Sequence, residues 1–172
     1  MSLITEDGSG LSTSESYASV TDANTYHYNR GNSSWAALTI AVKEQLLRKA
    51  TDYMLQQYRT DWKGTRVLDT QALDWPRDNV YIDNANNIDN DIVPTEVNNA
   101  CCEYALKSDD GDLIEDGGRK TIKEKVDVLE VEYSDNGNSS NHVKYSSIDM
   151  MLAPYLEGGT VSGGIVGRIQ RA

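Results

Sequence analysis

Hydrophobic residues recur with a helical period in one long segment of the chain, residues 40–58. Its apolar positions lie three and four residues apart, while charged and amide side chains fill the opposite face; the apolar members are Leu46, Leu47, Ala50, Met54 and Tyr58. This spacing predicts an amphipathic helix that turns one stripe toward a core. Thr39 marks where the helix should begin, because a threonine hydroxyl caps the free amides of a first turn.

Three other segments carry helix-start signals. Ser19–Asp22 has the S-x-x-D form of a capping box and predicts a short helix that ends at the next glycine. Pro94 suits the first position of another helix, with Glu96 in the first turn, where the helix dipole favours an anion. Ser146–Asp149 is a second S-x-x-D pattern, and Pro154 should kink or shorten the helix that it opens.

Between and beyond these helices the pattern changes. Residues 59–93 show no helical period and predict an extended insert, whereas residues 129–133 alternate apolar and acidic positions and predict a half-buried strand. A turn signal at Asp135–Gly137 precedes Val143–Tyr145, the expected return strand. The predicted fold is mainly α: a small bundle of about four helices with an extended insert, a β-hairpin at about residues 120–145 and a flexible C-terminal arm.

Composition divides the chain into three parts. Residues 1–18 are rich in serine, threonine and glycine and predict an extended lead-in, residues 19–157 the helical domain, and residues 158–172 the arm. The arm has five glycines, and Arg168 and Arg171 are its only charged residues. A segment of this kind suits docking onto a partner better than folding alone. Its expected anchors are Val161, Ile165, Val166 and Ile169.

The charge balance is strongly acidic, with 16 basic against 27 acidic residues and a formal net charge of -11. Most non-specific affinity for DNA comes from basic groups that neutralise phosphates. We therefore expect no tight or specific binding to single- or double-stranded DNA at physiological salt. No segment is apolar enough to cross a membrane, so we expect no membrane partner.

One segment, Tyr58–Arg66, interleaves aromatic and basic residues closely enough to suggest single-strand binding. The favoured interpretation is structural: Trp62 and Trp75 pin the insert onto the bundle, and Arg66 and Arg77 pair with nearby carboxylates. Loss of single-strand binding on replacing Trp62 or Lys63 would favour the binding alternative.

Signals for catalysis or metal binding are weak. The chain has no G-x-S-x-G motif, and we interpret its two histidines, His27 and His142, as surface imidazoles without partners at ligand spacing. Cys101 and Cys102 are adjacent, so we interpret them as small buried thiols and not as a disulfide. The Asn/Asp-rich run 83–91 fails the calcium-loop template and predicts turns. We predict a non-enzyme without cofactor or metal.

A set of short motifs resembles a group of tailed-bacteriophage proteins encoded among the head genes, the head–tail connector (adaptor) proteins. The resemblance extends from about Ser16 to Leu156, and Gln-x-Leu-x-Trp-Pro-Arg is its most specific part. The motifs are Ser-Tyr-x-Ser-Val-x-x-Ala (16–23), Arg-Gly-Asn (30–32), Trp35, Ala-Thr-Asp-Tyr (50–53), Trp-Lys-Gly-x-Arg (62–66), Gln-Ala-Leu-x-Trp-Pro-Arg (71–77), Ile-Val-Pro (92–94) and Val-Glu-Tyr (131–133).

The resemblance implies a structural protein of the virion neck, made in the host cytoplasm. Such a protein forms a ring, commonly a dodecamer, that continues the DNA channel beneath the portal protein and joins it to a downstream tail or neck protein. Genomic DNA would pass through the lumen without specific binding, and the arm would dock into the portal. The family motif then has a structural role; its members are Trp62, Gly64, Arg66, Gln71, Trp75, Pro76 and Arg77. Some proteins of this group carry a DnaT-like single-stranded-DNA-binding label, which is the alternative function.

Overall fold

The computed structural model describes residues 2–82, 86–114, 123–126, 129–132 and 145–158. The mainly α-helical prediction is confirmed, with five α-helices in this part of the chain. They are α1 (Val20–Asn29), α2 (Ser33–Ala37), α3 (Ile40–Tyr58), α4 (Thr95–Asp110) and α5 (Ser146–Leu152), and a 3-10 turn, Ala153–Tyr155, follows α5. None of the helices described is both long and apolar enough to cross a membrane.

The core forms where α3 packs against α4. Leu47 and Met54 on α3 and Ala100 and Tyr104 on α4 are all fully buried, as the apolar stripe of residues 40–58 predicts. The predicted cap is also present, since the Thr39 hydroxyl accepts a hydrogen bond from the amide of Val42 at 3.3 Å. Burial contributes about 1.5–3 kcal/mol for each of the two long side chains, Leu47 and Met54, so this contact stabilises the bundle.

The other helix starts follow the predictions in part. Ser19 and Asp22 form both hydrogen bonds of a capping box at the start of α1. Pro94 precedes α4 as its N-cap and is not its first residue. The helix predicted from Ser146 is present, but the predicted capping role of Ser146 is wrong, because Ser146 is the first residue of α5 and not its N-cap. Asp149, the expected partner of that cap, points inward and accepts a hydrogen bond from the Tyr58 hydroxyl.

Short antiparallel strand pairs complete the fold. Their bounds are β1 (Thr65–Arg66) with β2 (Arg77–Asp78), β3 (Tyr81–Ile82) with β4 (Asn86–Asn87), and β5 (Lys123–Val126) with β6 (Leu129–Glu132). The predicted strand at 129–133 is thus present, whereas Val143 and Lys144 of the predicted return strand lie outside the described residues. The strand that is present pairs with the preceding strand, across residues 127–128, and the proposed turn at Asp135–Gly137 lies outside the described residues.

The lead-in is without helix, as predicted, and folds back on itself around a buried carboxylate. Glu6 accepts hydrogen bonds from the amides of Gly8, Gly10 and Leu11 and from the Ser14 hydroxyl, at 2.8–3.1 Å. A buried carboxylate needs such donors, because it loses its hydration on folding. The lead-in therefore forms a closed loop around the Glu6 carboxylate, whose hydrogen bonds all come from the loop itself.

Candidate functional site

The two tryptophans of the insert are structural. Trp62 is 3% exposed and Trp75 is fully buried. Their rings meet edge to face with centroids 5.7 Å apart, and Tyr58 packs on Trp62 from α3. A base cannot stack on a ring whose faces are covered by protein, so the interpretation that they pin the insert onto the bundle is confirmed for these side chains.

The arginines of the insert do not pair as predicted. Arg77 is buried and donates to the carbonyl oxygens of Lys63, Gly64 and Asp74 at 2.7–3.2 Å. Arg66 donates to the carbonyl of Gln71 at 3.3 Å. Neither forms an ion pair with a carboxylate of the described residues, because backbone carbonyls of the loop accept their hydrogen bonds.

The other members of the insert motif shape the loop. Gln71 donates to the carbonyls of Leu73 and Pro76 at 2.8 and 3.0 Å. Gly64 has φ 67°, and a Cβ there would lie 2.1 Å from the carbonyl oxygen of Asp78. These residues therefore maintain the backbone of the insert. The predicted anchors of the arm lie outside the described residues; they are Val161, Ile165, Val166, Arg168, Ile169 and Arg171.

A different part of the surface holds an open groove of about 660 Å³. It lies where the C-terminal half of α1, the short helix α2 and the first turn of α3 meet, and we call it the α1–α2 groove. Its lining is mostly apolar with a fringe of amides and hydroxyls. The lining residues are Asn24, Thr25, Tyr28, Gly31, Asn32, Ser33, Trp35, Ala36 and Lys43.

The floor of the groove is Trp35, a buried residue held on two sides. Its indole packs on the His27 ring with centroids 4.6 Å apart, and its Nε1 donates to Asn24 Oδ1 at 3.0 Å. Lys43 Nζ lies 5.6 Å from the centre of the same indole and donates to Asn24 Oδ1 at 2.8 Å. Lys43 lines the groove but is itself only 7% exposed, and its ammonium group is held by the amide oxygen of Asn24.

His27 anchors this region to the bundle, and the interpretation of it as a surface imidazole is wrong. The ring is fully buried, with Nε2 3.1 Å from the carbonyl oxygen of Cys102 on α4 and Nδ1 3.0 Å from Asn32 Nδ2. Burial lowers the pKa of His27, since the charged imidazolium would lose its hydration. His27 is thus neutral at physiological pH.

One aromatic ring of the groove is open to solvent. Tyr28, near the end of α1, is 86% exposed, the most exposed large hydrophobic residue in the described part of the chain. Arg30, two residues later, lies on a different ring: its guanidinium is 3.5 Å from the centre of the Tyr26 ring, and it lines an adjoining cleft that shares Thr25 with the groove. Arg30 itself is exposed and has no carboxylate partner among the described residues.

The groove is also the least acidic part of this acidic protein. Residues 23–43 contain no aspartate or glutamate but do contain Arg30 and Lys43, and no other stretch of the chain is acid-free for as long. The sequence analysis did not predict this site, because it considered clusters of basic residues and not stretches that lack acidic residues. A local absence of negative charge reduces the repulsion that an anionic ligand meets there, although it does not attract the ligand as a basic cluster would.

No group of three or more His, Cys, Asp or Glu side chains in the described ranges is arranged to hold a metal ion. Cys101 and Cys102 are buried free thiols, as predicted, and burial raises the pKa of both. The strongest candidate for a ligand site in the described part of the chain is therefore the α1–α2 groove.

Comparison with known proteins gives one match. A family model described as "Putative DnaT-like ssDNA binding protein" matches residues 1–172. No curated protein and no solved structure matches the chain.

This match corrects the predicted identity and partners. It covers the whole chain, and its description is that of a single-stranded-DNA-binding protein and not of a head–tail connector. The prediction of a virion ring protein, with the portal protein and a neck protein as partners, is therefore wrong. So is the expectation, drawn from net charge, of a protein that does not bind DNA specifically. Net charge sums over the whole surface and says nothing of a local patch from which acidic residues are missing.

Proposed function

The chain belongs to the family of DnaT-like single-stranded-DNA-binding proteins, and from that premise we propose that it binds single-stranded DNA in the α1–α2 groove. The role is binding without catalysis. A nucleotide enters the groove with its base on Tyr28, and phosphates of the strand lie toward Lys43 in the groove and Arg30 in the adjoining cleft.

The observation that carries this proposal is the exposed ring of Tyr28 at an acid-free groove. An aromatic face in water offers a stacking platform to any base, and each such stack contributes about 1–3 kcal/mol to single-strand binding. Tyr28 also leaves most of its apolar surface in water, and a stacked base would cover one face of the ring. The insert offers less, because its tryptophans are covered and its exposed tyrosine, Tyr81, is 51% exposed against 86% for Tyr28.

The charge of the groove suits a single strand better than a duplex. Lys43 is the basic residue that lines the groove and Arg30 lines the adjoining cleft, and both sit within a molecule of net charge -11. A duplex presents densely spaced phosphates and hides its base faces, so it would meet repulsion without gaining a stack. A single strand offers its bases, and stacking can then supply the larger share of the affinity.

The test is the affinity of the full chain for a fluorescent oligothymidine, measured by anisotropy at low salt. We expect Tyr28→Ala to weaken binding about 5- to 150-fold, which corresponds to the loss of one stacked base. The matched control is Tyr81→Ala, since Tyr81 is 51% exposed but lies on β3 and does not line the groove.

Both tyrosines are exposed, so neither substitution should alter the helical content seen by circular dichroism. Equal weakening by Tyr28→Ala and Tyr81→Ala would move the site away from the groove. Absence of any binding by the unaltered chain at low salt would overturn the proposed function itself.

A further inference from the structure

The amide of Asn24 has a fixed orientation in the α1–α2 groove. Its Oδ1 accepts two hydrogen bonds, from Trp35 Nε1 at 3.0 Å and from Lys43 Nζ at 2.8 Å. Both partners are donors only, so the atom that faces them must be the oxygen. The amide nitrogen Nδ2 then has no hydrogen-bond partner among the described residues, and Asn24 lines the groove.

The orientation of the Asn32 amide follows from the position of the proton on the His27 ring. The carbonyl oxygen of Cys102 can only accept, so His27 Nε2, 3.1 Å away, must carry the ring proton. Neutral His27 then presents Nδ1 as an acceptor, and the Asn32 atom 3.0 Å from it must be the donor Nδ2. Asn32 Oδ1 is thereby left as an acceptor without a partner in the described part of the chain, on a side chain that lines the groove.

Asn24, Asn32 and Tyr28 all line the groove, so one unpaired amide donor, one unpaired amide acceptor and an exposed aromatic ring belong to the same cavity. Unstacked bases of a single strand display donors and acceptors side by side on their Watson–Crick edges, and these edges are what proteins bind when they read single strands. Phosphate and sugar do not match this pair, because a phosphate has acceptors only.

We infer that Asn24 and Asn32 bind the Watson–Crick edge of the base that stacks on Tyr28, an inference that rests on the proposed function. For thymine, a ring carbonyl accepts from Asn24 Nδ2 and N3–H donates to Asn32 Oδ1. The groove thus binds a nucleobase through hydrogen bonds to its edge, in addition to any electrostatic attraction of the DNA backbone.

The experiment compares two probes with the full chain: oligothymidine and the same oligonucleotide built from 3-methylthymidine. The methyl group removes the N3–H donor while the ring still stacks. We expect the unaltered protein to prefer oligothymidine about 2- to 13-fold, the range of one net hydrogen bond. Asn32→Ala should bind both probes equally, whereas the control Asn29→Ala should keep the preference, because Asn29 is exposed on α1 and does not line the groove.

The ratio of the two affinities is the readout, since a general loss of stability would lower both alike. Equal binding of the two probes by the unaltered protein, with the Tyr28 dependence intact, overturns the base-edge inference alone. Failure of both probes to bind overturns it together with the proposed function. Loss of the preference in Asn29→Ala as well would also overturn it, since Asn32 would then not be the acceptor.

Discussion

At the scale of single residues, the neutral state of His27 organises the groove. Its ring spans from the carbonyl of Cys102 to the amide of Asn32 and stacks on Trp35. The charged groups that act on it are Glu103 on α4, Arg30 just after α1 and Lys43 on α3. Glu103 favours the protonated ring and the two cations oppose it, but loss of hydration is the largest effect and keeps the ring neutral.

This burial predicts a pH dependence of stability. The pKa of His27 is lowered in the folded state, so the unfolded chain binds a proton first as the pH falls. The free energy of unfolding should decrease as the pH drops below about 6.5, the ordinary histidine value, and stop changing below the folded pKa. The measurement is the urea midpoint across this range for the unaltered protein and for His27→Gln, which cannot titrate at that position. Parallel pH profiles for the two proteins would contradict the prediction.

At the scale of secondary-structure elements, a buried hydrogen-bond cluster joins three helices. Asp149 on α5 accepts from the hydroxyls of Tyr58 on α3 and Tyr104 on α4, and the two hydroxyls lie 2.6 Å apart. All three residues are buried. Since a buried carboxylate needs hydrogen-bond donors, this cluster fixes the position of α5 against α3 and α4.

Removing one donor should therefore destabilise the bundle. We expect Tyr58→Phe to lower the free energy of unfolding by about 1.5–3 kcal/mol, the range for hydrogen bonds to charged groups. Chemical denaturation measures the change. The matched control is Tyr28→Phe, which loses a hydroxyl from an exposed ring and should leave stability within about 0.5 kcal/mol. Equal effects of the two substitutions would mean that the cluster contributes nothing.

The insert depends on one glycine. Gly64 adopts φ 67°, and an added Cβ would meet the carbonyl of Asp78 at 2.1 Å, which would push β1 away from β2. We expect Gly64→Ala to cost more than about 1 kcal/mol of stability, whereas Gly111→Ala, where a Cβ meets nothing within 4 Å, should be tolerated. Thermal unfolding compares the two variants, and a Gly64→Ala protein that melts with Gly111→Ala would refute the close approach.

At the scale of the whole molecule, strong acidity and DNA binding are compatible only if binding is local. Few phosphates can then be neutralised, and the salt dependence must be shallow. Arg30 and Lys43 are the cations of the groove region, so the logarithm of affinity should fall against the logarithm of salt with a slope of about -1.4. A slope several times steeper would place phosphate contacts outside the groove.

Single cations can be tested in the same titration. Arg30→Ala should reduce the slope to about -0.7, since one phosphate contact is lost. Lys49→Ala is the control, because Lys49 is exposed but lines a different cleft beside Gly111 and Leu113. If Lys49→Ala changes the slope as much as Arg30→Ala does, the charge effect is global and the groove has no special part in it.

Local signals in the sequence were sufficient for the helices whose ends and faces they describe. The period of residues 40–58 and the Thr39 hydroxyl specify α3, and Ser19 with Asp22 specifies the start of α1. The same S-x-x-D pattern failed at Ser146, because Asp149 is drawn to the tyrosines of α3 and α4. A pattern of four residues cannot reveal a competing partner that is distant in sequence.

The sequence by itself therefore determined the helical class and the length of α3, because these depend on periodicity. It favoured a structural role for Trp62 and Trp75, but their burial in the tertiary structure decided it. Only the tertiary structure decided that His27 is buried while Tyr28, its neighbour, is exposed. Adjacent residues on a helix point about 100° apart, so which of the two faces the core depends on where α4 lies. That same placement holds Asn32 through His27 and creates the α1–α2 groove, which no local pattern contains.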